Sequence, residues 1–247
     1  VLKSLLQQLP ADHQVSLLAV DVQATPLMES FAAPRSEAVQ SALDKLSRRA
    51  PLGATDLAAG MTAVVDRCDS ASVTSVLYIG DGMSAAHLLN LESLELLTGN
   101  LRQARAQVHS YAVGPQKDTN LLGILAQQTG GRVIVDTAET NTEEVSAQLA
   151  SAIQESALAL QNLELGEGVR LAASQLLPLR TDRTLYLLGR GTIRKGASLR
   201  GRVAGRNVVW NAQPKQAGNQ VFLSSVIPIV DQSRGLFAGY PSEDLLI

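Results

Sequence analysis

Apolar and polar positions follow two different rhythms along the chain. Up to about residue 160, compact apolar runs alternate with stretches of helical spacing. Val73 to Ile79 is the clearest run: it is apolar with little alternation, as a strand covered on both faces requires. Gln14 to Val22 and Val108 to Val113 read the same way, and Arg132 to Val135 is a shorter member of the set. Thr25 to Phe31 is a weaker extended stretch, expected as an edge strand in a hairpin with Gln14 to Val22. Between the runs, Leu2 to Leu9 reads as a helix stopped by Pro10. In Ser36 to Arg49, Ser36 is the cap and Val39, Leu43 and Leu46 share one face. Further helices are expected over Asp56–Arg67, Leu91–Ala106, Asn120–Gln128 (closed by Gly130-Gly131) and Thr142–Leu160. Strands alternating with helices predict an α/β fold, a doubly wound and mostly parallel sheet with helices on both faces.

The rhythm changes after Leu163. Val169–Leu177, Thr184–Arg190, Ser198–Ala204, Val208–Ala212 and Gln220–Val226 are short extended runs separated by turn material such as GRGTIRKG and AGRN. A β-rich module, a small sandwich or partial barrel, is the expectation there. Charge divides at the same place. Residues 1–160 hold 10 Lys and Arg against 17 Asp and Glu, whereas residues 161–247 hold 11 against 6. The chain is therefore expected to form two domains, residues 1–162 and 163–247.

Composition narrows the function classes. With 247 residues, 45% hydrophobic and 18% charged, the chain is an ordinary globular sequence. Its net charge of −2 gives no reason to expect nucleic acid as a partner. No apolar run approaches the roughly 20 residues of a membrane helix. The single cysteine, Cys68, excludes an internal disulfide and, lacking an identifiable base, reads as packing. The opening VLKSLLQQLP has no secretory pattern and no Met, so the chain reads as a piece of a longer polypeptide.

Two polar groups stand out. Val73–Ile79 breaks at Gly80 and delivers Asp81 in Gly-Asp-Gly, at the carboxyl end of a strand, where ligands of open α/β sheets sit. Thr55, in PLGATDLAAG, stands ahead of a helix, where capping is its plainer role. The order strand, hairpin, helix, Gly-x-Thr-Asp, helix, Ile-Gly-Asp-Gly resembles the von Willebrand factor A domain, and LLGILAQQTGG followed by a strand resembles that family's penultimate helix and last strand. The resemblance covers about residues 1–160.

It implies a non-catalytic module that binds or scaffolds proteins. Members with an intact adhesion site hold Mg²⁺ or Mn²⁺ with Asp-x-Ser-x-Ser from the first strand, a Thr and an Asp, and engage an acidic side chain of the partner. By position Thr55 and Asp81 match the last two. The first strand and its Asp-x-Ser-x-Ser are not among these residues, so the metal is expected only if a loop outside them supplies the rest. Residues 176–192, LLPLRTDRTLYLLGRGT, resemble the segment after the A domain in bacterial relatives of the inter-alpha-trypsin-inhibitor heavy chains. That kinship implies an extracytoplasmic or cell-envelope location.

Rival readings rest on other features. A hydrolase or enzyme subunit with Asp81 in its site lacks Gly-x-Ser-x-Gly, a phosphate loop and Gly-x-Gly-x-x-Gly. IGDGM also resembles alkaline phosphatases, but His13, His87 and His109 are too few for a two-metal site. A metal-free structural A domain is the third reading. In the second half, Arg190, Arg194, Lys195, Arg200 and Arg202, with Arg180, Arg183 and Arg206, form a basic cluster that could dock an acidic partner. The solvated face of alternating strands is its plainer reading.

Overall fold

Val76 and its neighbours form the strand the apolar run predicts, and in the computed structural model that strand anchors a parallel sheet. The structure describes residues 1–50, 53–69, 72–155, 157–158, 160–164, 169–171, 176–185, 187–191, 198–203, 206–211, 226–230, 232–233 and 236. In chain order the first part runs α1 (Leu2–Gln8), β1 (Leu18–Val20), β2 (Ala24–Pro26), α2 (Glu37–Ser47), α3 (Leu57–Val65) and β3 (Thr74–Gly80). It continues with α4 (Leu91–Gln103), β4 (Ala106–Ala112), α5 (Thr119–Thr129), β5 (Val133–Val135) and α6 (Thr142–Gln154). The later strands are β6 (Leu160–Glu164), β7 (Val169–Leu171), β8 (Gly189–Gly191), β9 (Ser198–Val203) and β10 (Arg206–Asn211).

The chain divides into two compact units. One comprises Val1–Leu122 with Gly131–Glu155, the other Gly123–Gly130 with Ser156–Ile247. In the first, β3, β4 and β5 form a parallel sheet in that order, while β1 and β2 form a separate antiparallel pair. Every residue of β4 is buried, as befits the middle strand of a sheet covered on both faces. On one face Leu5, Leu6 and Leu9 around α1, Val39, Ala42 and Leu43 of α2, and Val145 and Leu149 of α6 enclose Ala19, Leu27 and Tyr111. Each such Leu or Val contributes about 1.5–3 kcal/mol on burial. α4 packs on β4 and against α3, burying Leu94, Leu97 and Leu101.

Capping tracks the polar punctuation. Ser36 accepts from the Val39 N–H (3.4 Å), Asn90 from Ser93 (2.8 Å) and Asn141 from Glu143 (2.9 Å). At α3 the cap is Asp56, which accepts from Ala59 at 2.9 Å, so the helix starts one residue later than expected and Thr55 does not cap it. Gly131 is required by packing: a Cβ there would fall on the carbonyl of Val108.

Several expected elements differ in extent in the structure. Of Gln14–Val22 only Leu18–Val20 is strand, joined by a bridge between Val15 and Ala32. The last helix stops at Gln154 instead of running to Leu160. Glu155 turns extended, Leu158 bridges Leu179, and Leu160 enters β6, so strand pairing overrides helical spacing. Among the described residues of Val169–Leu177 and Thr184–Arg190, Val169–Leu171 and Gly189–Arg190 are strand.

In the second unit β6, β9 and β10 form an antiparallel sheet with β9 in the centre, and β7 pairs with β8. The expected Gln220–Val226 run lies outside the described residues except for Val226, which is helical.

Candidate functional site

The backbone carries the site to the carboxyl end of β3. Asp81 comes directly after the last strand residue, and its carbonyl accepts the Asp118 N–H at 2.8 Å. Its carboxylate oxygen Oδ1 accepts the Met83 N–H at 2.9 Å, closing a turn of the kind Asp forms two residues ahead. Gly82 makes that turn with φ +76°, and a Cβ on it would meet Leu122 Cγ at 2.7 Å. Its N–H donates to the Tyr78 hydroxyl at 3.2 Å. Burial pushes that phenol's pKa up. Tyr78 is a support that sequence reasoning missed; its position four residues ahead of Gly82 was the available signal.

Thr55 reaches the same end of the sheet through its backbone. Its carbonyl accepts the Ala86 N–H at 3.1 Å, and the next residue, Asp56, donates its N–H to the Asp21 carbonyl at 2.7 Å. Ser84, buried in the loop after β3, accepts the Leu57 N–H at 3.2 Å and donates to the His87 carbonyl at 2.7 Å. The end of β1, the Thr55–Asp56 segment and the loop of residues 81–90 are thus fastened together. Val22, Met83 and Leu88 stand on these segments, 47%, 40% and 86% exposed.

Carboxylates ring this end, and each is engaged locally. Asp21 pairs with Arg49 at 2.5 Å and accepts the Gln23 N–H, and the Arg49 bond holds its pKa below the usual carboxylate range. Asp118 accepts from Leu121 at 2.9 Å. Asp136 accepts the Tyr111 hydroxyl at 2.7 Å; burial, then that bond, pushes the phenol up to about 12. Among the described residues no three His, Cys, Asp or Glu lie close enough to hold a metal ion. One hydroxyl and one carboxylate, from Thr55 and Asp81, fall short of the octahedral oxygen shell of Mg²⁺, so the described residues do not fit the ion by themselves.

The basic residues do not share one sheet. Arg190 is exposed on β8, whereas Arg200, also exposed, and Arg202 lie on β9. Arg194 and Lys195 lie outside the described residues. Arg200 stands in register with Glu164 and Val209, and Arg202 with Gln161 and Asn207. Arg180 is a structural residue: it is buried, grips Asp182 with two nitrogens at 2.8 and 2.9 Å, and donates to the Gly130 carbonyl at 2.9 Å. Cys68 is half-buried, and desolvation pushes its thiol up, away from nucleophilic character. Among the described residues no helix is long and apolar enough to cross a membrane.

Known proteins share this fold. Residues 1–135 match the von Willebrand factor type A domain family. No curated protein matches the sequence significantly. Among solved structures, a von Willebrand factor type A protein from Catenulispora acidiphila is similar at TM-score 0.59 and 12% identity, over 90% of this chain and 64% of that one. The ArnB paralog VWA2 from Sulfolobus acidocaldarius is similar at TM-score 0.51 and 12% identity, over 92% and 64%. Human COPII-coat protein Sec24c is similar at 0.54 and 14%, over 85% and 40%. At these identities the likeness concerns the fold, and the chain spans less than two thirds of the length of each of these three.

Proposed function

The chain belongs to the von Willebrand factor type A domain family, and from that premise we propose that it is a non-catalytic scaffold that binds a protein partner. The contact surface in this reading is the group of loops beyond β1 and β3. The observation that carries it is the exposure of Val22, Met83 and Leu88 on segments that the Thr55–Ala86, Asp56–Asp21 and Ser84–Leu57 bonds hold in place. Apolar side chains kept at the surface by a rigid frame suit protein recognition, because little order remains to be imposed on binding. The engaged carboxylates favour contact without a metal for residues 1–247. Metal-assisted capture of an acidic side chain through Thr55 and Asp81 is the extension that an added Asp-x-Ser-x-Ser loop would permit.

The finer kinship, with bacterial relatives of the inter-alpha-trypsin-inhibitor heavy chains, is supported by residues 176–192. The extracytoplasmic or cell-envelope location and the division at residues 162/163 go with it as parts of the proposal. The experiment is affinity capture from an envelope extract of the source organism, then binding measurements with the purified captured protein. Met83→Ser with Leu88→Ser should weaken that binding at least about tenfold, roughly 1.4 kcal/mol. Unchanged affinity in the double variant would overturn the assignment of the surface.

A further inference from the structure

Between α1 and the start of α2 lies a cleft of about 60 Å³. Its floor is apolar: Leu6, Pro34 and Leu43, all buried. Its rim is polar and exposed: Lys3 and Gln7 from α1, Arg35 ahead of α2, and Gln40 on α2. Helical spacing explains this division. Lys3 and Gln7 stand one turn apart on the same side of α1, and Gln40 and Leu43 do so on α2, so long polar side chains border the apolar contact of the two helices.

Neither cation of this rim has an ion-pair partner among the described residues, and no carboxylate lines the cleft. Arg35 is nonetheless held in place. Its Nη1 donates to the Gln7 carbonyl at 2.8 Å and to the Leu9 carbonyl at 3.0 Å, at the end of α1, where helix carbonyls lack partners of their own. Nη2 and Nε keep their N–H groups for another acceptor. A guanidinium fixed in this way loses little freedom on meeting a carboxylate. Beyond the other end of α2, Arg49 pairs with Asp21, just after β1. The cleft is therefore at the opposite end of α2 from the loop surface, and the two sites stand or fail separately.

We propose that this cleft binds the carboxylate of a glutamate side chain on a protein partner, its methylenes lying on Leu6, Pro34 and Leu43 and its oxygens meeting Lys3 and Arg35. Size, polarity and charge each select that occupant. The volume admits about four to six water-sized atoms, which suits a carboxylate with its adjoining methylene. A phosphate needs hydrogen-bond donors all round, and the apolar floor offers it none on that side. The positive charge is local. Residues 1–160 hold 10 Lys and Arg against 17 Asp and Glu, so the field around them repels a polyanion, whereas two cations meet a single carboxylate at close range. So small a group in an open cleft binds too weakly to retain a free metabolite. It is held as one contact within a larger protein interface.

The test is a nuclear magnetic resonance titration of residues 1–247 with the capped peptide Ala-Ala-Glu-Ala-Ala at millimolar concentration, beside its glutamine counterpart and inorganic phosphate. The glutamate peptide is expected to shift the Arg35 Nε–H and the Gln7 and Gln40 side-chain amides saturably, and the glutamine peptide to bind at least about threefold more weakly. Lys3→Gln and Gln40→Glu, both at exposed helix positions, should each lower affinity for the glutamate peptide at least about threefold, the effect of one exposed charge. Equal shifts from the two peptides overturn the proposal, as does an absence of shifts at these three residues. Tighter binding of phosphate than of the glutamate peptide overturns the stated occupant in favour of a free oxyanion. Unchanged affinity in both variants overturns the assignment to this cleft.

Discussion

The hydroxyl of Ser84 joins the loop after β3 to the first helical residue of α3, accepting the Leu57 N–H at 3.2 Å while donating to the His87 carbonyl at 2.7 Å. One buried side chain thereby positions both the start of a helix and the exposed stretch that carries Met83 and Leu88. Ser84→Ala leaves two backbone groups without that partner and should cost about 1–3 kcal/mol. Urea unfolding measures the loss, and faster amide exchange across residues 83–90 is expected with it.

Gly131 and Gly99 should respond in opposite directions to the same substitution. A Cβ at Gly131 collides with the Val108 backbone, which cannot swing aside as a side chain tip would, whereas Gly99 on α4 has open space around it. Gly131→Ala is expected to lower stability by about 3 kcal/mol or more. Gly99→Ala should raise it by about 0.5–1 kcal/mol through helix propensity. Denaturation midpoints of the two variants check both signs.

The Tyr111–Asp136 bond predicts an alkaline limb. The phenol's pKa lies near 10 unfolded and is pushed up to about 12 when folded, so the folded state holds its proton more tightly. This contribution is full below about pH 10 and is lost as pH rises from there through about 12. Tyr111→Phe should flatten that limb and cost about 1 kcal/mol at neutral pH, read from melting temperatures between pH 7 and 11.

Asp21 predicts the mirror case in acid. Arg49 lowers its pKa from 3.8, so its contribution is present above that value and fades as pH falls through the depressed folded value. Arg49→Gln should remove this acid sensitivity while leaving the rest of the profile in place. Comparing thermal melts of the two proteins from pH 2 to 6 decides it.

Magnesium or manganese at millimolar concentration should leave the melting temperature of residues 1–247 unchanged to within about 1 °C, because binding raises it only when the folded state holds the ion. A larger rise would show that Thr55 and Asp81 find further ligands.

Local pattern alone determined much of this molecule. The apolar run ending at Ile79, the Gly-Asp-Gly break and the caps at Ser36 and Gly130 were legible because each depends on residues a few positions apart. The Gly-x-Thr-Asp and Ile-Gly-Asp-Gly order was enough to point to the fold family and to Thr55 and Asp81. Tertiary contacts decided the rest. Whether Leu160 continued a helix or entered a strand depended on a pairing with Val203, 43 residues away. Arg180 looked like surface charge until the fold set it against Asp182 and the end of α5. The support from Tyr78 and the fastening by Ser84 depend on which groups meet in space. Periodicity along a chain carries no record of that, because hydrogen-bond partners are assigned by the sheet as a whole.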